Sequence, residues 1–375
     1  MNIIHIISGL NRGGAESILY SLVSSPSLCK HTVISMTDEG VYGPKLRDCG
    51  VNVHVLGMSR GFIQLRSLYR LYKIIREDRP DVVQTWMCHA DFIGGIMAKL
   101  AGVKSVVWGI HSTRLDFDIR SLPTVLISLI NAAFSHFLPS AIVCCSKISA
   151  QVHQSKLYRA DRFEVIPNGY NLAVLKPNTE LIHTLRDKWE VLPNEKLLGS
   201  IARWHPMKDH KSLFKSLAIM NKKGLFLRCV LVGDGMTEEN AELMRLIEHY
   251  DIAQNIILAG PSDDIPAVMN AIDINVLSSY VEAFPNVVSE AMACGTPCVV
   301  TDVGDTAWIV GDTGCVVPPK NAAKLAEGIT KMLKTLESNG RERIGIKCRE
   351  RIANNFSIEI MVNNYVNLWE RVVIQ

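Results

Sequence analysis

Long hydrophobic runs are missing from this sequence of 375 residues. The opening segment, MNIIHIISGL, is long enough only for a strand, and it lacks the basic flank and the cleavage site of a secretory signal. Residues 122–138 are also apolar, but Pro123, Asn131 and His136 make them a poor membrane span. We therefore expect a cytoplasmic protein, and we expect any contact with the cytoplasmic face of the inner membrane to be peripheral.

Motifs for disulfides, metals and nucleic acids are absent as well. The ten cysteines form no C-x-x-C pair and mostly lie in apolar, strand-like runs, which is typical of reduced core residues. No D-x-D motif stands in a loop suited to a metal-bound diphosphate, so we expect neither a metal nor a cofactor. Basic residues are not interleaved with aromatic ones, and we expect no nucleic acid partner.

Charge is low overall but unevenly distributed. The net charge is +3, yet residues 1–165 hold 18 Lys and Arg against 12 Asp and Glu, which makes this half +6 and the remainder −3. A basic half is expected to face something anionic. Without a nucleic-acid motif, a membrane surface or a phosphorylated acceptor is the favoured partner.

Short β-branched runs alternate with helical patterns along the chain, which is typical of parallel α/β sheets. The runs are NIIHIIS, HTVISM, VNVHVL, DVVQTW, KSVVWG and AIVCCS in the first half, then KLLGSIA, LRCVLVG, NIILAG, DINVLSS, TPCVVT and GCVVP. The turn residues Pro167, Asn168 and Gly169 separate the two series, and residues 341–375 are helical in pattern. We expect domains at 1–168 and 169–355, with a final helix at 356–375 packing back on the first domain.

Polar residues follow several strands, at the edge where open α/β sheets bind ligands. The first such loop, SGLNRGGAE at residues 8–16, places paired glycines, including Gly14, before a helical pattern. Backbone N–H groups at such a helix start can approach a phosphate. A glycine turn that only joins strand to helix fits the pattern equally well.

A second loop, ARWHPMKDH at residues 202–210, holds Arg203 and Lys208 around a proline turn. An arginine fork and a lysine point charge can hold a diphosphate and stabilise the charge that develops as it leaves. Two solvated surface cations are the alternative, which the spacing alone slightly favours.

A third loop lies within SSYVEAFPNVVSEAMACGTP at residues 278–297. It presents Glu282 before a helix that starts near Pro285, and Glu290 lies one to two turns into that helix. Carboxylates there can accept hydrogen bonds from the hydroxyls of a ribose or a hexose. Glu290 could instead be solvated, but its helix is apolar on most sides, and a carboxylate in such a helix needs a partner.

These loops resemble the signature of the retaining glycosyltransferases of family 4, which have the GT-B fold. The two glutamates of EAFPNVVSE, followed by AMACGTPCVVTDVG, carry the resemblance together with GGAE at 13–16, VIPNGYN at 165–171, SIARWHPMKDH at 200–210, LVGDG at 231–235 and AGPSDDIPAVMNAIDINVLSS at 259–279. The resemblance covers nearly the whole chain. It implies two Rossmann-like domains that face each other across a cleft, with a C-terminal helix crossing back to the first.

The resemblance also implies roles for individual residues. Arg203 and Lys208 would hold the donor diphosphate, Glu290 the ribose hydroxyls, and Glu282 the donor sugar. Catalysis would involve His111, Glu282, Arg203 and Lys208. The donor would be bound, in part through backbone groups, by Gly14, Arg203, Lys208, Gly260, Ile265, Glu282, Ala283, Phe284, Pro285, Asn286 and Glu290.

Two histidines of the first half follow strands. His111 comes after KSVVWGI and matches in position the family's first-domain histidine that contacts the transferred sugar, while His89 in QTWMCHAD is a second candidate. Either could be an ordinary surface or core histidine. Thr113 and Arg114 are expected to meet the acceptor.

Some positions depart from the common form of the family pattern. Ala283 and Ala202 each stand where a glycine is usual, and both changes should be tolerated. Asp305 and Trp308 occupy a turn in which a glutamate is usual, and the contacts of this turn are left open.

By resemblance, the reaction retains the anomeric configuration along a front-face path, in which the departing diphosphate accepts the acceptor's proton. A hexose or N-acetylhexosamine would pass from a UDP-sugar to a lipid-linked or polysaccharide acceptor, in the biosynthesis of lipopolysaccharide O-antigen, capsule or exopolysaccharide. A nucleotide-sugar 2-epimerase of the same fold and a non-catalytic nucleotide-sugar-binding protein are the alternatives.

A basic amphipathic pattern spans residues 62–75. Its members are the apolar Phe62, Leu65, Leu68, Tyr72 and Ile75 and the cations Arg66, Arg70 and Lys73. Such a helix can lie on anionic lipid, or it can be a domain helix with its apolar face buried.

Overall fold

The computed structural model describes residues 1–59, 64–112 and 122–374. They form two compact units, one of Met1–Gly169 with Ile358–Gln375 and one of Tyr170–Ser357. Each unit is built on one parallel sheet with flanking helices. The predicted α/β class with two Rossmann-like domains is confirmed.

The first unit contains a seven-stranded sheet in the order β3-β2-β1-β4-β5-β6-β7. Its strands are β1 Asn2–Ile7, β2 Lys30–Ser35, β3 Asn52–Val55, β4 Val82–Trp86, β5 Ser105–Ile110, β6 Ala141–Cys144 and β7 Phe163–Val165. Its helices before the second unit are α1 Gly14–Ser24, α2 Tyr42–Asp48, α3 Leu65–Asp78, α4 Cys88–Leu100, α5 Leu122–Phe134 and α6 Lys147–Gln154.

The second unit contains a six-stranded sheet in the order β10-β9-β8-β11-β12-β13. Its strands are β8 Leu197–Ile201, β9 Arg228–Val232, β10 Ile256–Gly260, β11 Ile274–Leu277, β12 Cys298–Thr301 and β13 Cys315–Val317. Its helices are α7 Thr179–Lys188, α8 His210–Lys222, α9 Ala241–His249, α10 Ile265–Ala271, α11 Asn286–Ala293, α12 Thr306–Val310, α13 Ala322–Asn339 and α14 Arg341–Phe356.

The C-terminal helical stretch is divided between the units. It consists of α14 and a last helix, α15 Ile358–Ile374, with a break at Ser357. The first of the two packs against α11 in the second unit, whereas α15 belongs to the first unit. The return to the first domain is therefore made by the final helix alone.

Helices cover the first sheet on both faces. One face packs against α1, α2 and α15, and the other against α3, α4, α5 and α6. Strands buried on both sides read as continuous apolar runs, which explains sequences such as NIIHII in β1. Because the strands are parallel, their carboxyl ends meet at one edge of the sheet.

The amphipathic pattern of residues 62–75 forms α3 from Leu65 onward; Phe62 lies outside the described residues. Leu71 and Ile75 are buried in the core of the first unit, which is the behaviour of a domain helix, while Leu65 is 82% exposed. In the ranges that the structure describes, no helix is both long and apolar enough to cross a bilayer.

Candidate active site

Neighbouring strands bring two of the predicted loops together in the second unit. β8 lies beside β11, so the loop after β8, with Arg203 and Lys208, runs next to the loop after β11, with Glu282. Two hydrogen bonds tie the loops: the Ser278 hydroxyl donates to the carbonyl of Lys208 over 2.8 Å, and the Tyr280 N–H donates to the carbonyl of Met207 over 3.0 Å.

Lys208 and Glu282 form an ion pair. The Lys208 Nζ lies 2.6 Å from Glu282 Oε1, and the hydroxyl of Ser279 donates to the same oxygen over 2.6 Å. The side chains of Lys208 and Glu282 are only 23% and 13% exposed, so the pair is shielded from most of the solvent. An anion bound at Lys208 would thus meet an ammonium whose charge is partly balanced by Glu282.

Arg203 is exposed two residues beyond the end of β8. Its guanidinium forms neither a hydrogen bond nor an ion pair with the residues that the structure describes. All five of its N–H donors are thus available for an anionic ligand from solution.

The loop from Glu282 to Asn286 leads into α11. Pro285 is the N-cap residue of the helix and provides no side-chain cap. Phe284 is buried, with its ring centroid 5.5 Å from that of Phe356 and 6.2 Å from that of Trp308. Its aromatic ring is thus part of the core, and Phe284 offers a ligand only backbone groups.

The turn at residues 302–306, whose contacts the sequence left open, packs against the loop from Glu282 to Asn286. The N–H of Asp305 donates to the carbonyl of Ala283 over 3.0 Å. Gly304 has a φ of 54°, and a Cβ at this position would lie 2.4 Å from the carbonyl oxygen of Ala283. Only glycine allows this close approach, so Gly304 fixes the loop, a role that we did not assign from the sequence.

Glu290 lies one turn into α11 and is partly buried. Among the described residues, its carboxylate has no hydrogen-bond or ion-pair partner, although its apolar helix led us to expect one. Burial raises the pKa of Glu290 from 4.5 to about 7. The carboxylate is thus free to accept hydrogen bonds from the hydroxyls of a ligand. Such hydrogen bonds stabilise the ionised form and would lower the pKa again.

Gly260 and Ile265 lie further along the same edge. Gly260 ends β10 with a φ of 65°, and its N–H donates to the carbonyl of Met236 over 3.1 Å. Ile265 begins α10, whose N-terminus is capped by Asp264. The loop between them follows the carboxyl end of β10, where a flat base could lie against the backbone.

Three predicted residues lie at the carboxyl edge of the first sheet. Gly14 begins α1 after β1, His89 lies in the first turn of α4 after β4, and His111 directly follows β5. Since β1, β4 and β5 are adjacent in the sheet, these loops are neighbours. Thr113 and Arg114 lie outside the described residues.

His111 is held by an aromatic stack. Its ring lies on that of Trp86 with centroids 5.0 Å apart, and Tyr365 of α15 stacks on Trp86 at 6.0 Å. The Trp86 indole N–H donates to Nδ1 of His5 over 3.2 Å. Burial lowers the pKa of His111 to about 4, so the ring is neutral at pH 7, and its Nε2 is buried without a partner among the described residues.

A cavity of about 310 Å³ adjoins His111 within the first unit. His89 lines it as well, together with Ser128 of α5, His153 of α6 and Tyr158. Its walls are thus formed by the helices that follow β4, β5 and β6. A cavity of this size can hold part of a sugar ring.

Asp91 also lines the cavity, and we did not single it out from the sequence. Its Oδ1 accepts hydrogen bonds from the Thr85 hydroxyl over 2.6 Å and the Gly109 N–H over 3.3 Å. Burial raises the pKa of Asp91 to about 8. The sequence did contain a signal for Asp91, because it is an acidic residue among the apolar residues of α4. As we argued for Glu290, a carboxylate in an apolar helix needs a partner.

Comparisons with known proteins show which family and fold this chain resembles. The family model for glycosyl transferases group 1 matches residues 182–351, and that for glycosyltransferase family 4 matches residues 12–174. A UDP-Gal:alpha-D-GlcNAc-diphosphoundecaprenol alpha-1,3-galactosyltransferase of Escherichia coli is 23% identical to this chain, with 83% of this chain and 80% of the relative covered.

Two further relatives extend the comparison. The N,N'-diacetylbacillosaminyl-diphospho-undecaprenol alpha-1,3-N-acetylgalactosaminyltransferase of Campylobacter jejuni is 26% identical, with 92% of both chains covered. The crystal structure of Anabaena HepE in complex with UDP-glucose superposes with a TM-score of 0.86 at 22% identity, covering 99% of this chain and all of that one.

The two Rossmann-like units and the family matches define a glycosyltransferase of the GT-B class. The chain belongs to glycosyltransferase family 4, as its sequence motifs indicate. Among the residues described, no group of three or more His, Cys, Asp or Glu side chains is placed to hold a metal ion.

Proposed function

We propose that this glycosyltransferase transfers a hexose or N-acetylhexosamine, with retention of the anomeric configuration, from a UDP-sugar to a lipid-linked acceptor. The observation that carries the proposal is the pairing of Lys208 with Glu282 where the loops after β8 and β11 meet, with Arg203 on the first loop and Glu290 one turn into the helix that follows the second. The relatives support the substrate classes, because two act by name on diphosphoundecaprenol-linked sugars and HepE binds UDP-glucose.

In this proposal each group has a separate task. Arg203 and Lys208 bind the diphosphate and absorb the negative charge that develops as the bond to the sugar breaks. Glu290 accepts hydrogen bonds from the ribose hydroxyls, and Glu282 orients the sugar rather than attacking it. The leaving phosphate oxygen takes the proton of the attacking hydroxyl, so the reaction needs no metal ion or separate protein base.

His111 contributes from the first unit. Because His111 lines the cavity and is neutral at pH 7, its ring can form a hydrogen bond with a sugar hydroxyl there. The acceptor's sugar would enter the adjoining cavity. A cytoplasmic enzyme that extends an undecaprenol-linked sugar would serve the biosynthesis of O-antigen, capsule or exopolysaccharide.

Calorimetric titration of UDP and a panel of UDP-sugars, with a chelator present, tests the donor site. Arg203→Ala and Glu290→Ala should each weaken UDP binding about tenfold or more, since each removes a strong hydrogen-bonding group. Arg343→Ala, which changes an exposed arginine of α14, is the matched control. Equal binding by all variants would disprove the assigned site.

Product analysis tests the chemistry. Incubation of the enzyme with the bound UDP-sugar and an undecaprenyl diphosphate sugar should give a glycoside with the α configuration of the donor. An inverted product would contradict the front-face path, and a free epimerised sugar nucleotide would support the 2-epimerase instead.

A further inference from the structure

Asp91 is held in the wall of the cavity beside His111 by three hydrogen bonds. Its N–H donates to the carbonyl of Met87 over 2.9 Å, and its Oδ1 accepts from the Thr85 hydroxyl over 2.6 Å and from the Gly109 N–H over 3.3 Å. Asp91 is only 2% exposed. The position of its carboxyl group is therefore fixed by β4, by β5 and by the start of α4.

The backbone that leads to Asp91 is strained at Met87. This residue has a φ of 72° and a ψ of 154°, a combination that residues other than glycine rarely adopt. Its N–H donates to the carbonyl of Gly109 over 2.8 Å, so Gly109 binds both ends of the segment from Met87 to Asp91. Backbone strain of this kind persists only where the surrounding structure enforces it, and it is concentrated at ligand-binding sites.

The second carboxyl oxygen of Asp91, Oδ2, has no hydrogen-bond or ion-pair partner among the residues that the structure describes. None of the described residues that line the cavity is a lysine or an arginine, and ionising a buried carboxyl without a cation is unfavourable. Burial accordingly raises the pKa of Asp91 to about 8, so the group is mostly protonated at pH 7. Because Oδ1 already accepts two hydrogen bonds, the proton lies on Oδ2, which can donate it to a ligand in the cavity.

Apolar side chains border this donor. Met87 and Ile110 adjoin the two segments that hold Asp91, and both line the cavity. A ligand group that fits here has an oxygen that accepts a hydrogen bond and an apolar part that packs against these side chains. The acetamido group of an N-acetylhexosamine has both, in its carbonyl oxygen and its methyl group, whereas a sugar hydroxyl has no apolar part.

We propose that Asp91 selects the acceptor by donating a hydrogen bond from Oδ2 to the carbonyl oxygen of an acetamido group, so that the sugar to be extended is an N-acetylhexosamine. The methyl group of the acetamido packs against Met87 and Ile110. Asp91 thus acts as a neutral hydrogen-bond donor, neither as a base nor as a nucleophile. This inference rests on the proposed function, because it takes the cavity as the site of the acceptor's sugar.

Initial rates of transfer to two acceptors test this role. The acceptors are undecaprenyl diphosphate N-acetylglucosamine and undecaprenyl diphosphate glucose, in which a hydroxyl replaces the acetamido group, and the donor is the UDP-sugar that the enzyme binds. For the wild type, kcat/KM should be about tenfold or more higher with the N-acetylated acceptor, since the glucose acceptor lacks both the carbonyl oxygen and the methyl group.

Two substitutions of Asp91 separate a hydrogen-bond donor from an ionised group. Asp91→Asn keeps an acceptor toward Thr85 and Gly109 and places an N–H where the Oδ2 proton lies, so it should retain the wild-type preference within about threefold. Asp91→Val removes the donor, and it should lower kcat/KM for the N-acetylated acceptor about tenfold, mainly through KM, with less than about threefold change for the glucose acceptor. Asp48→Val, at the exposed end of α2, is the matched control and should change neither value.

Binding of the sugar alone gives a readout that does not depend on the donor site. In saturation-transfer NMR with the full chain and methyl N-acetylglucosaminide, the acetyl methyl protons should receive more saturation than the ring protons. Asp91→Asn should retain this signal, and Asp91→Val should lose most of it. Absence of UDP binding by the wild type would count against the proposed function, and the NMR signal would still decide the contact between Asp91 and the acetamido group.

Several results would overturn the inference while transfer by the wild type stands. Equal kcat/KM for the two acceptors would do so, as would an Asp91→Val variant that slows transfer to both acceptors to the same extent, which a purely structural role predicts. Loss of transfer by Asp91→Asn would show that Asp91 acts in its ionised form. An effect of Asp91→Val that follows an acetamido group on the donor would assign the contact to the transferred sugar instead.

Discussion

Replacing Glu290 with glutamine should stabilise the protein while it impairs donor binding. Burial raises the pKa of Glu290 from 4.5 to about 7 in the folded chain. Because the folded pKa is the higher one, this carboxyl favours folding below about pH 4.5, and its contribution is lost as the pH rises to 7. A rise from 4.5 to 7 corresponds to about 3 kcal/mol, which we reduce to about 2 kcal/mol because the side chain is partly exposed.

The measurable quantity is the difference in the free energy of unfolding between Glu290→Gln and the wild type. In urea titrations without ligand, this difference should grow by about 2 kcal/mol in favour of the variant between pH 5 and pH 8. Asn354→Gln, a change without a titratable group at an exposed position of α14, should give a difference that does not change with pH. If the difference between Glu290→Gln and the wild type did not change with pH, this would refute the inference that ionisation of the Glu290 carboxyl destabilises the folded chain.

Further predictions concern the supports of the site. Gly304→Ala should lower the free energy of unfolding by about 3 kcal/mol in urea titrations, because the added Cβ would clash with the carbonyl oxygen of Ala283. The control Gly224→Ala, at a φ of 77° but with open space around it, should lower it by only about 1 kcal/mol. Equal losses in the two variants would contradict the clash at Gly304. Lys208→Met should lower the free energy of unfolding by about 2 kcal/mol in the same titrations, because it leaves the Glu282 carboxylate shielded from solvent without its partner. The double variant Lys208→Met with Glu282→Gln should regain most of that free energy, and simple additivity of the two changes would contradict the coupling of the pair. Asp91→Asn should melt at a higher temperature than the wild type at pH 8 but not at pH 4, because burial raises the pKa of Asp91 to about 8; a gap independent of pH would contradict this.

Strand positions and the burial of one site residue follow from local patterns in the sequence. Each apolar run that we interpreted as a strand ends within two residues of an observed one, because period and β-branching act within the segment. The environment of Glu290 was also predictable, since its neighbours Val287, Val288, Ala291 and Met292 show that its helix is apolar on most sides. Burial of its carboxyl follows from that helix alone.

Contacts between distant segments could not be predicted in this way. Lys208 and Glu282 are 74 residues apart, and only the adjacency of β8 and β11 brings them together. The stack of His111 on Trp86 and Tyr365 depends on a helix near the other end of the chain. Spacing along a sequence carries no information on such pairs unless the order of strands is already known.

The order in which the chain is synthesised gives α15 a further consequence. Its residues Tyr365 and Trp369 complete the core of the first unit, but they leave the ribosome only after the whole of the second unit. The second unit, Tyr170–Ser357, is continuous and has all its residues earlier. The core of the first unit thus cannot be completed until α15 has been synthesised, and a chain that lacks α15 exposes the apolar surface that this helix covers.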